Sequence, residues 1–152
     1  MGSRGGRLMA KRTLAQKKMM PNSGYWLAKA DEAFMVQFRG LPCEFCEKLG
    51  IEHTEGTCFH HVIAKKQSKS LRYDKRNGIV LCPAHHKWSN DMAAHSDSVF
   101  VVQAWVDFFK KHFEDRYNWC MSNGRLKYRF TYREAYEAIE AGLTEYARRQ
   151  HD

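Results

Sequence analysis

The chain has 152 residues and a formal net charge of +8, because 25 Lys and Arg outnumber 17 Asp and Glu. Hydrophobic residues make up 43% of it and aromatic residues 13%, which excludes a wholly disordered chain and predicts one folded domain. No apolar run approaches the roughly 18 residues that a transmembrane helix needs, and the basic start lacks the apolar segment of a secretory signal. We therefore expect a cytoplasmic protein without a membrane partner.

The positive charge is concentrated in two stretches of the sequence. Residues 1–20 contain basic residues and no acid, and we expect them to form a flexible tail. Residues 65–76 contain six basic residues, and Asp74 is the one acidic residue among them. Together the two stretches favour a nucleic-acid partner over an ordinary solvated surface or a membrane surface. Residues 21–150 are predicted to form the single domain.

The first half of this domain is predicted as a helix followed by two strands. Apolar residues recur every three or four positions over 24–39, which predicts an amphipathic helix. Residues 43–57 are predicted as a loop with a Cys-x-x-Cys turn, 58–63 as a strand, 64–76 as a basic loop and 78–81 as a second strand. Pro83 suits the first turn of a helix, which we predict over 83–92.

The second half is predicted to be helical. An aromatic stripe over 98–119 indicates a second amphipathic helix, and Asn123 and Gly124 interrupt the chain after it. Thr131 and Glu134 have the spacing of a capping box, which predicts that a last helix begins there and runs over 131–149.

Four potential metal ligands occur as two pairs with the same short spacing. Cys43 and Cys46 form the first pair, and Cys82 and His85 form the second. Two such pairs complete the tetrahedral shell that zinc prefers in structural sites, and a closed shell leaves no place for a catalytic water. The sequence thus predicts a structural zinc, with His86 as the alternative fourth ligand. Disulfides are not expected, since the five cysteines are an odd number in a chain without an export signal.

A second group of potential ligands lies on and around the predicted strands. His60 and His61 are adjacent, so their side chains should point to opposite faces of the first strand. Asn77 precedes the second strand, and His86 lies on the following helix with Asn90 one turn later. This group predicts a second, open metal site. The other histidines are isolated and are expected to be surface or locally hydrogen-bonded residues rather than ligands: His53, His95, His112 and His151. The other cysteines, Cys58 and Cys120, are expected to be small buried side chains.

The segments CEFC, FHHV, RNGIVLC and PAHHKW, within residues 43–90, resemble the HNH nuclease family and its ββα-metal module. The resemblance implies that His60 and His86 bind a divalent ion, that His61 is the general base, and that Asn77 supports it structurally. Asn90 falls where some members supply a further metal ligand. The chain departs from many members in having His60 where they have aspartate and His85 where they have cysteine.

The flanks GYWLAKADEAFMVQFRGLPC and KYRFTYREAYEAIEAGLTEYARR are similar to the helices around the zinc knuckles of the NinG/Rap recombination endonucleases of lambdoid phages. The resemblance implies an α+β fold, with an HNH core at 43–92 flanked by one N-terminal and two C-terminal helices. It implies a DNA endonuclease with structural Zn and catalytic Mg or Mn, acting on branched recombination DNA in the host cytoplasm. Symmetric cutting of a four-way junction would favour a homodimer.

In such an enzyme, a divalent ion held by His60 and His86 would neutralise charge at the scissile phosphate, and neutral His61 would take a proton from water. Asn77 would hold the loop by side-chain hydrogen bonds. Six basic side chains are expected to contact phosphates without reading sequence: Lys65, Lys66, Lys69, Arg72, Lys75 and Arg76. The alternatives are a zinc-stabilised nucleic-acid-binding module without catalysis and an RNA-directed nuclease.

Overall fold

The computed structural model describes residues 11–52 and 55–142, in which α-helices surround one two-stranded antiparallel sheet. The sheet pairs β1 (Cys58–His61) with β2 (Gly78–Leu81), with His60 opposite Ile79 and His61 opposite Gly78. The helices are α1 (Leu14–Met19), α2 (Gly24–Val36), α3 (Glu44–Leu49), α4 (Val99–His112), α5 (Glu114–Asn123) and α6 (Tyr132–Glu140). The predicted α+β class is confirmed.

Two short turns connect the sheet to the rest of the chain. A 3₁₀ turn, Lys75–Asn77, leads directly into β2, and a single π-helical turn, Ala84–Trp88, follows it. Among the described helices, none has both the length and the apolar character needed to cross a membrane.

Both faces of the sheet are covered, because side chains alternate along each strand. Phe59 of β1 and Val80 of β2 point to one side, where they pack against α2 and α6. Ile79 and Leu81 point to the other side and pack against α3 and α4. The sheet therefore separates two hydrophobic clusters, and the side chains of β1 are distributed between them.

Long-range hydrogen bonds fix the surrounding helices. Arg116 of α5 forms an ion pair with Glu44 of α3 at 2.9 Å and donates to the carbonyl of Gly78 at 3.1 Å. The carboxylate of Glu44 also accepts from the backbone N–H of Val80 at 2.8 Å. These bonds hold α3 and α5 against the start of β2.

Gly78 has a packing reason to be glycine. A Cβ atom built there would lie 2.1 Å from the Phe59 ring and 2.5 Å from the backbone oxygen of His60. The close approach of the two strands at this point therefore requires a residue without a side chain.

The N-terminal tail prediction is wrong for its last part. Leu14–Met19 forms α1, which begins with a capping box between Thr13 and Gln16. Its last carbonyls accept from Ser23 Oγ at 2.6 Å and from Trp26 Nε1 at 3.0 Å, so its end is also satisfied. Residues 1–10 of the predicted tail lie outside the described part.

Two predicted helices and one predicted loop differ from the structure. The 43–57 loop contains α3, because Cys43 begins a short helix that Gly50 ends in the left-handed conformation, at φ 67°. The 98–119 helix is two helices separated by Phe113, whose φ and ψ of −132° and 44° are not helical. The 83–92 helix is only the Ala84–Trp88 turn, because Ser89 is extended.

The remaining predicted elements are close to the observed ones. The 24–39 helix ends earlier, at Val36, and the 58–63 strand ends at His61. The second strand, at 78–81, is confirmed. The Thr131 capping box is confirmed, and α6 follows it to Glu140; residues 143–149 of the predicted last helix lie outside the described part.

Candidate metal centres and active site

Cys43, Cys46, Cys82 and His85 come together in a buried cluster, which we call the Cys₃His cluster. Nδ1 of His85 lies 3.6, 3.4 and 3.5 Å from the sulfurs of Cys43, Cys46 and Cys82. The sulfurs of Cys46 and Cys82 are 3.8 Å apart. The N-terminal turn of α3 supplies the first pair of ligands, and the end of β2 with the turn after it supplies the second pair.

These distances fit a tetrahedral zinc shell. With Zn–S near 2.3 Å and Zn–N near 2.1 Å, tetrahedral angles separate two sulfurs by about 3.8 Å and a sulfur from a nitrogen by about 3.6 Å. Burial, followed by the neighbouring thiols Cys43 and Cys82, raises the pKa of Cys46 far above its ordinary value. Three thiolates packed this closely need a cation among them. The cluster can therefore hold a metal ion such as zinc.

The π-helical turn separates the roles of the two adjacent histidines. His85 is buried against Phe45 and belongs to the Cys₃His cluster, whereas His86 is half-buried and points to β1. The centroid of the His86 ring lies 5.3 Å from that of His60. Between the two candidates for the fourth ligand left open by the sequence, the structure therefore selects His85.

His60, His86 and His95 form a second group, the three-histidine cluster. One ring nitrogen from each lies within 4.8 Å of the others. His95 arrives from a chain reversal after the π-helical turn, and its backbone N–H donates to the carbonyl of His86 at 2.9 Å. His95 is exposed, as expected, but it is not isolated, because its ring centroid lies 4.8 Å from that of His60.

Burial keeps the deepest member of this cluster neutral. His60 is 8% exposed and packs edge-on against Trp105 of α4. Burial, followed by the neighbouring rings of His95 and His86, lowers the pKa of His60 to about 3. A neutral imidazole has a free lone pair, which is the form that binds a metal ion.

Cys58 lies beside the three-histidine cluster. Its sulfur is 3.5 Å from Nδ1 of His86, and burial raises the pKa of its thiol. The thiol therefore stays protonated, and its sulfur can accept the Nδ1–H of His86. In the neutral ring Nε2 then carries the lone pair, which is the form that binds a metal ion. Cys58 is half-buried and lines a cavity, unlike the small buried residue that the sequence suggests.

His61 points to the opposite face of β1 and is held by a backbone carbonyl. Its Nε2 lies 2.7 Å from the carbonyl oxygen of Arg72, and its ring packs against Phe34 and Phe59. Because a carbonyl only accepts, Nε2 must carry the hydrogen, and in the neutral ring Nδ1 carries the lone pair. Burial lowers the pKa of His61, and the bond to Arg72 opposes this only in part. His61 is therefore a neutral base near pH 7.

One cavity of about 400 Å³ is lined by both faces of β1. We call it the histidine pocket, since His60, His61, His86 and His95 all line it. Met35 of α2 and the first residues of the basic loop complete its wall. The structure thus brings the predicted base and the three-histidine cluster to the same open space.

The carbonyl that holds His61 belongs to a residue fixed by an ion pair. Arg72 donates to both carboxylate oxygens of Asp31 on α2, at 2.8 and 2.6 Å. Tyr73 Oη donates to the same carboxylate at 2.9 Å. Burial alone would raise the pKa of Asp31, but the hydrogen bonds and charge of Arg72 outweigh it and lower that pKa. The sequence analysis did not identify Asp31, which had no spacing signal to mark it.

Asn77 makes the side-chain-to-backbone bonds that the sequence predicts. It is fully buried, and its amide nitrogen donates to the carbonyls of Ile63 and Leu71 at 2.9 and 3.1 Å. Its amide oxygen accepts from the N–H of Ile63 at 2.8 Å. Asn77 therefore ties the start of the basic loop, two residues after His61, to the middle of that loop, directly before Arg72.

The six basic side chains of this loop are not equivalent. Lys65 and Lys66 are exposed at the histidine pocket. Arg72 is paired with Asp31, and Arg76 forms a 2.7 Å ion pair with Asp74. Two others are exposed but lie over aromatic rings: Lys69, over Phe130 and Tyr132, and Lys75, over Phe38. Lys65 and Lys66 are thus the best placed for a ligand in the pocket.

Asn90 does not occupy the position that the sequence predicts. The helical turn ends at Trp88, so Asn90 is exposed on the following bend rather than one turn after His86 on the same face. The run Ser89, Asn90 and Asp91 is a turn signal, and it could have indicated the chain reversal that brings His95 back instead. His95 therefore takes the place in the cluster that was predicted for Asn90.

Comparison of the chain with protein-family models, with curated proteins and with solved structures finds no match.

Proposed function

We propose that this protein is a metal-dependent endonuclease of the HNH type, which hydrolyses phosphodiester bonds of DNA. The observation that carries the proposal is the histidine pocket, where a neutral base and three converging imidazoles lie next to two exposed lysines. A strand, a loop, an antiparallel strand and a helical turn follow one another in the order of a ββα-metal module, and the chain reversal after the turn adds His95. Phosphate binding, metal coordination and proton transfer would then occur in one cavity.

The three-histidine cluster fits a divalent ion. His60 is neutral and buried, and nitrogens of His86 and His95 lie close enough to share one ion with it. Such an ion would neutralise the negative charge of the scissile phosphate and stabilise the leaving oxygen. An imidazole-rich shell favours Mn, Zn or Ni over Mg, which prefers oxygen ligands. We therefore propose Mn as the better activator.

His61 is the proposed general base. The carbonyl of Arg72 holds Nε2–H, so Nδ1 accepts the proton of the attacking water. The Asp31–Arg72 ion pair and the Asn77 amide fix the backbone on either side of the loop, and this keeps the imidazole in one tautomer and orientation. Lys65 and Lys66 bind the phosphates of the incoming strand.

The Cys₃His cluster is proposed to hold a structural zinc. Its four ligands form a closed shell that is separate from the histidine pocket. Closed shells of this kind contribute to folding rather than to reaction chemistry. The ion would join α3, β2 and the turn carrying His86, so it stabilises one side of the active site.

A cleavage panel tests the proposed function. Zinc-loaded protein is incubated with duplex, single-stranded, flap, D-loop and four-way-junction DNA, and with matched RNA, with added Mn, added Mg or neither. We expect Mn-dependent cutting of DNA, with branched substrates preferred. DNA binding without cutting under any condition would instead favour the non-catalytic nucleic-acid-binding module, and cutting of RNA alone would identify an RNA-directed nuclease.

A further inference from the structure

We infer that a second nucleic-acid contact, outside the histidine pocket, is formed by Arg125, Lys127 and Arg129, and that it binds the phosphodiester backbone next to the cut. We call these three residues the cationic row. The inference rests on the proposed function for the identity of the partner. The position and chemistry of the contact come from the segment between α5 and α6, which no step of the proposed reaction uses.

The cationic row results from strict alternation in the sequence RLKYRF, residues 125–130. All three basic side chains are exposed, whereas Leu126 and Tyr128 are half-buried and Phe130 is buried. Arg125 lies in a turn that the Leu126 N–H closes on the Asn123 carbonyl at 2.9 Å, and residues 126–130 follow it outside any helix or strand. The segment therefore presents three cations outward while its apolar side chains anchor it to the protein.

The row borders a cavity of about 710 Å³, the basic groove, which is larger than the histidine pocket. Arg125 and Lys127 line one wall, and residues 67–70 of the basic loop line the other. Two bonds fix the walls: the Tyr128 N–H donates to Ser70 Oγ at 2.7 Å, and Lys69 Nζ donates to the Phe130 carbonyl at 3.1 Å. The groove is thus a feature of the folded protein.

The basic groove and the histidine pocket are neighbours along the basic loop. Lys66 lines the histidine pocket and Gln67, the next residue, lines the groove. Neighbouring Cα atoms are about 3.8 Å apart, so the walls of the two cavities meet there. A strand whose scissile phosphate enters the histidine pocket can therefore continue past Lys66 into the groove.

The charge of the groove favours an anionic partner. None of the described residues that line it is acidic. Within 11–52 and 55–142, the five ion pairs that form leave Arg125, Lys127 and Arg129 without an acidic partner. A nucleic-acid backbone carries one negative charge per nucleotide, and a row of exposed cations with no acid among them suits it.

The test compares two triple variants that remove the same charge from different places. Arg125→Gln, Lys127→Gln and Arg129→Gln are combined in the first. Lys48→Gln, Lys110→Gln and Lys111→Gln, all exposed residues on α3 and α4, are combined in the control. Binding of zinc-loaded protein to a labelled four-way junction and to a duplex is measured by fluorescence anisotropy from 50 to 300 mM NaCl, without added Mn or Mg, and Mn-dependent cleavage is measured in parallel.

Loss of three phosphate contacts should reduce the slope of log K against log salt by about 2.7, which weakens binding on the order of 100-fold at 0.15 M salt. The control variant should keep the wild-type slope, and both variants should keep the wild-type melting midpoint. If the first variant binds like the control, the inference is wrong, whether or not wild-type protein cuts. If the row carries binding but wild-type protein never cuts, the proposed nuclease function fails while the inference holds. Wild-type protein that neither binds nor cuts contradicts both.

Discussion

Replacing Asp31 by asparagine removes the charge that holds Arg72, and through it the carbonyl that orients His61. In the folded protein this carboxylate accepts three hydrogen bonds of 2.6 to 2.9 Å. The two side chains of the ion pair are mostly buried, at 15% exposure for Arg72 and 29% for Asp31. Asparagine keeps the shape but replaces one accepting oxygen by an amide N–H₂, so Arg72 loses one of its two hydrogen bonds and the opposite charge.

The expected loss of stability follows from this burial. Removing one partner of a well-formed, mostly buried ion pair costs about 3 kcal/mol, because the other charge stays desolvated. The pKa of Asp31 lies below its ordinary value, so the carboxylate is fully ionised at pH 7 and the whole effect is present there. With a urea m-value of about 2 kcal/mol/M, the midpoint should fall by about 1.5 M.

The assay is urea unfolding of zinc-loaded protein at pH 7, with Glu32→Gln as the matched control. Glu32 is the next residue of α2 and pairs with Arg39, but both side chains are more than 60% exposed. That control should change stability by less than about 0.5 kcal/mol. We also expect the turnover rate of Asp31→Asn to fall roughly tenfold with little change in KM, because the base is no longer held in place. Equal stability in the two variants would refute the reasoning.

Three further predictions concern the metal centres and the basic loop. Cys82→Ser should lose the zinc of the Cys₃His cluster and much of the folded structure, whereas Cys58→Ser should keep that zinc, as measured by elemental analysis and circular dichroism; full zinc content in Cys82→Ser would contradict the four-ligand shell. His95→Ala should weaken Mn binding to zinc-loaded protein at least tenfold in calorimetric titration, and unchanged affinity would remove it from the cluster. Asn77→Ala should lower the free energy of unfolding in urea by about 3 kcal/mol because it leaves buried backbone groups unpaired, whereas the exposed Asn90→Ala should leave it unchanged. Equal losses in the two variants would contradict the stabilising role of the Asn77 hydrogen bonds.

The parts of the structure that the sequence predicts well depend on short-range patterns. Cys43 and Cys46 lie at the start of one short helix, and spacing alone places both side chains near one point. Thr131 and Glu134 each accept a hydrogen bond from the other's backbone N–H across one helical turn, so this capping box can be predicted from local sequence alone. The second strand is a short apolar run between a basic loop and a proline, and its bounds follow from that contrast.

The break between α4 and α5 could not be found from apolar periodicity, because aromatic residues continue at helical spacing across Phe113. The change in charge there is informative. Lys110, Lys111 and His112 end α4, while Glu114 and Asp115 begin α5, which is the distribution that helix dipoles favour at a C-terminus and an N-terminus. Two helices, rather than one, account for this change of sign.

The partners of the residues around the histidine pocket were the hardest to predict, because they are distant in sequence. Asp31 meets Arg72 only after α2 packs on the sheet, a separation of 41 residues. His95 reaches His60 and His86 through a reversal whose direction depends on where the π-helical turn ends. Residue types and local spacing identified His60, His61 and His86. Tertiary packing adds His95 to the cluster and places the Asp31–Arg72 ion pair next to His61.

The most direct test of the central claim is the single-turnover cleavage rate of His61→Ala on the preferred DNA substrate with saturating Mn. His112→Ala is the control, since His112 is an exposed histidine at the end of α4. If His61 is the general base of a nuclease, its replacement lowers the rate by about 100-fold or more while DNA affinity and zinc content stay at wild-type values. A His61→Ala protein that cuts at the rate of the control would contradict the assignment of His61, and absence of Mn-dependent cutting by wild-type protein would contradict the proposed nuclease.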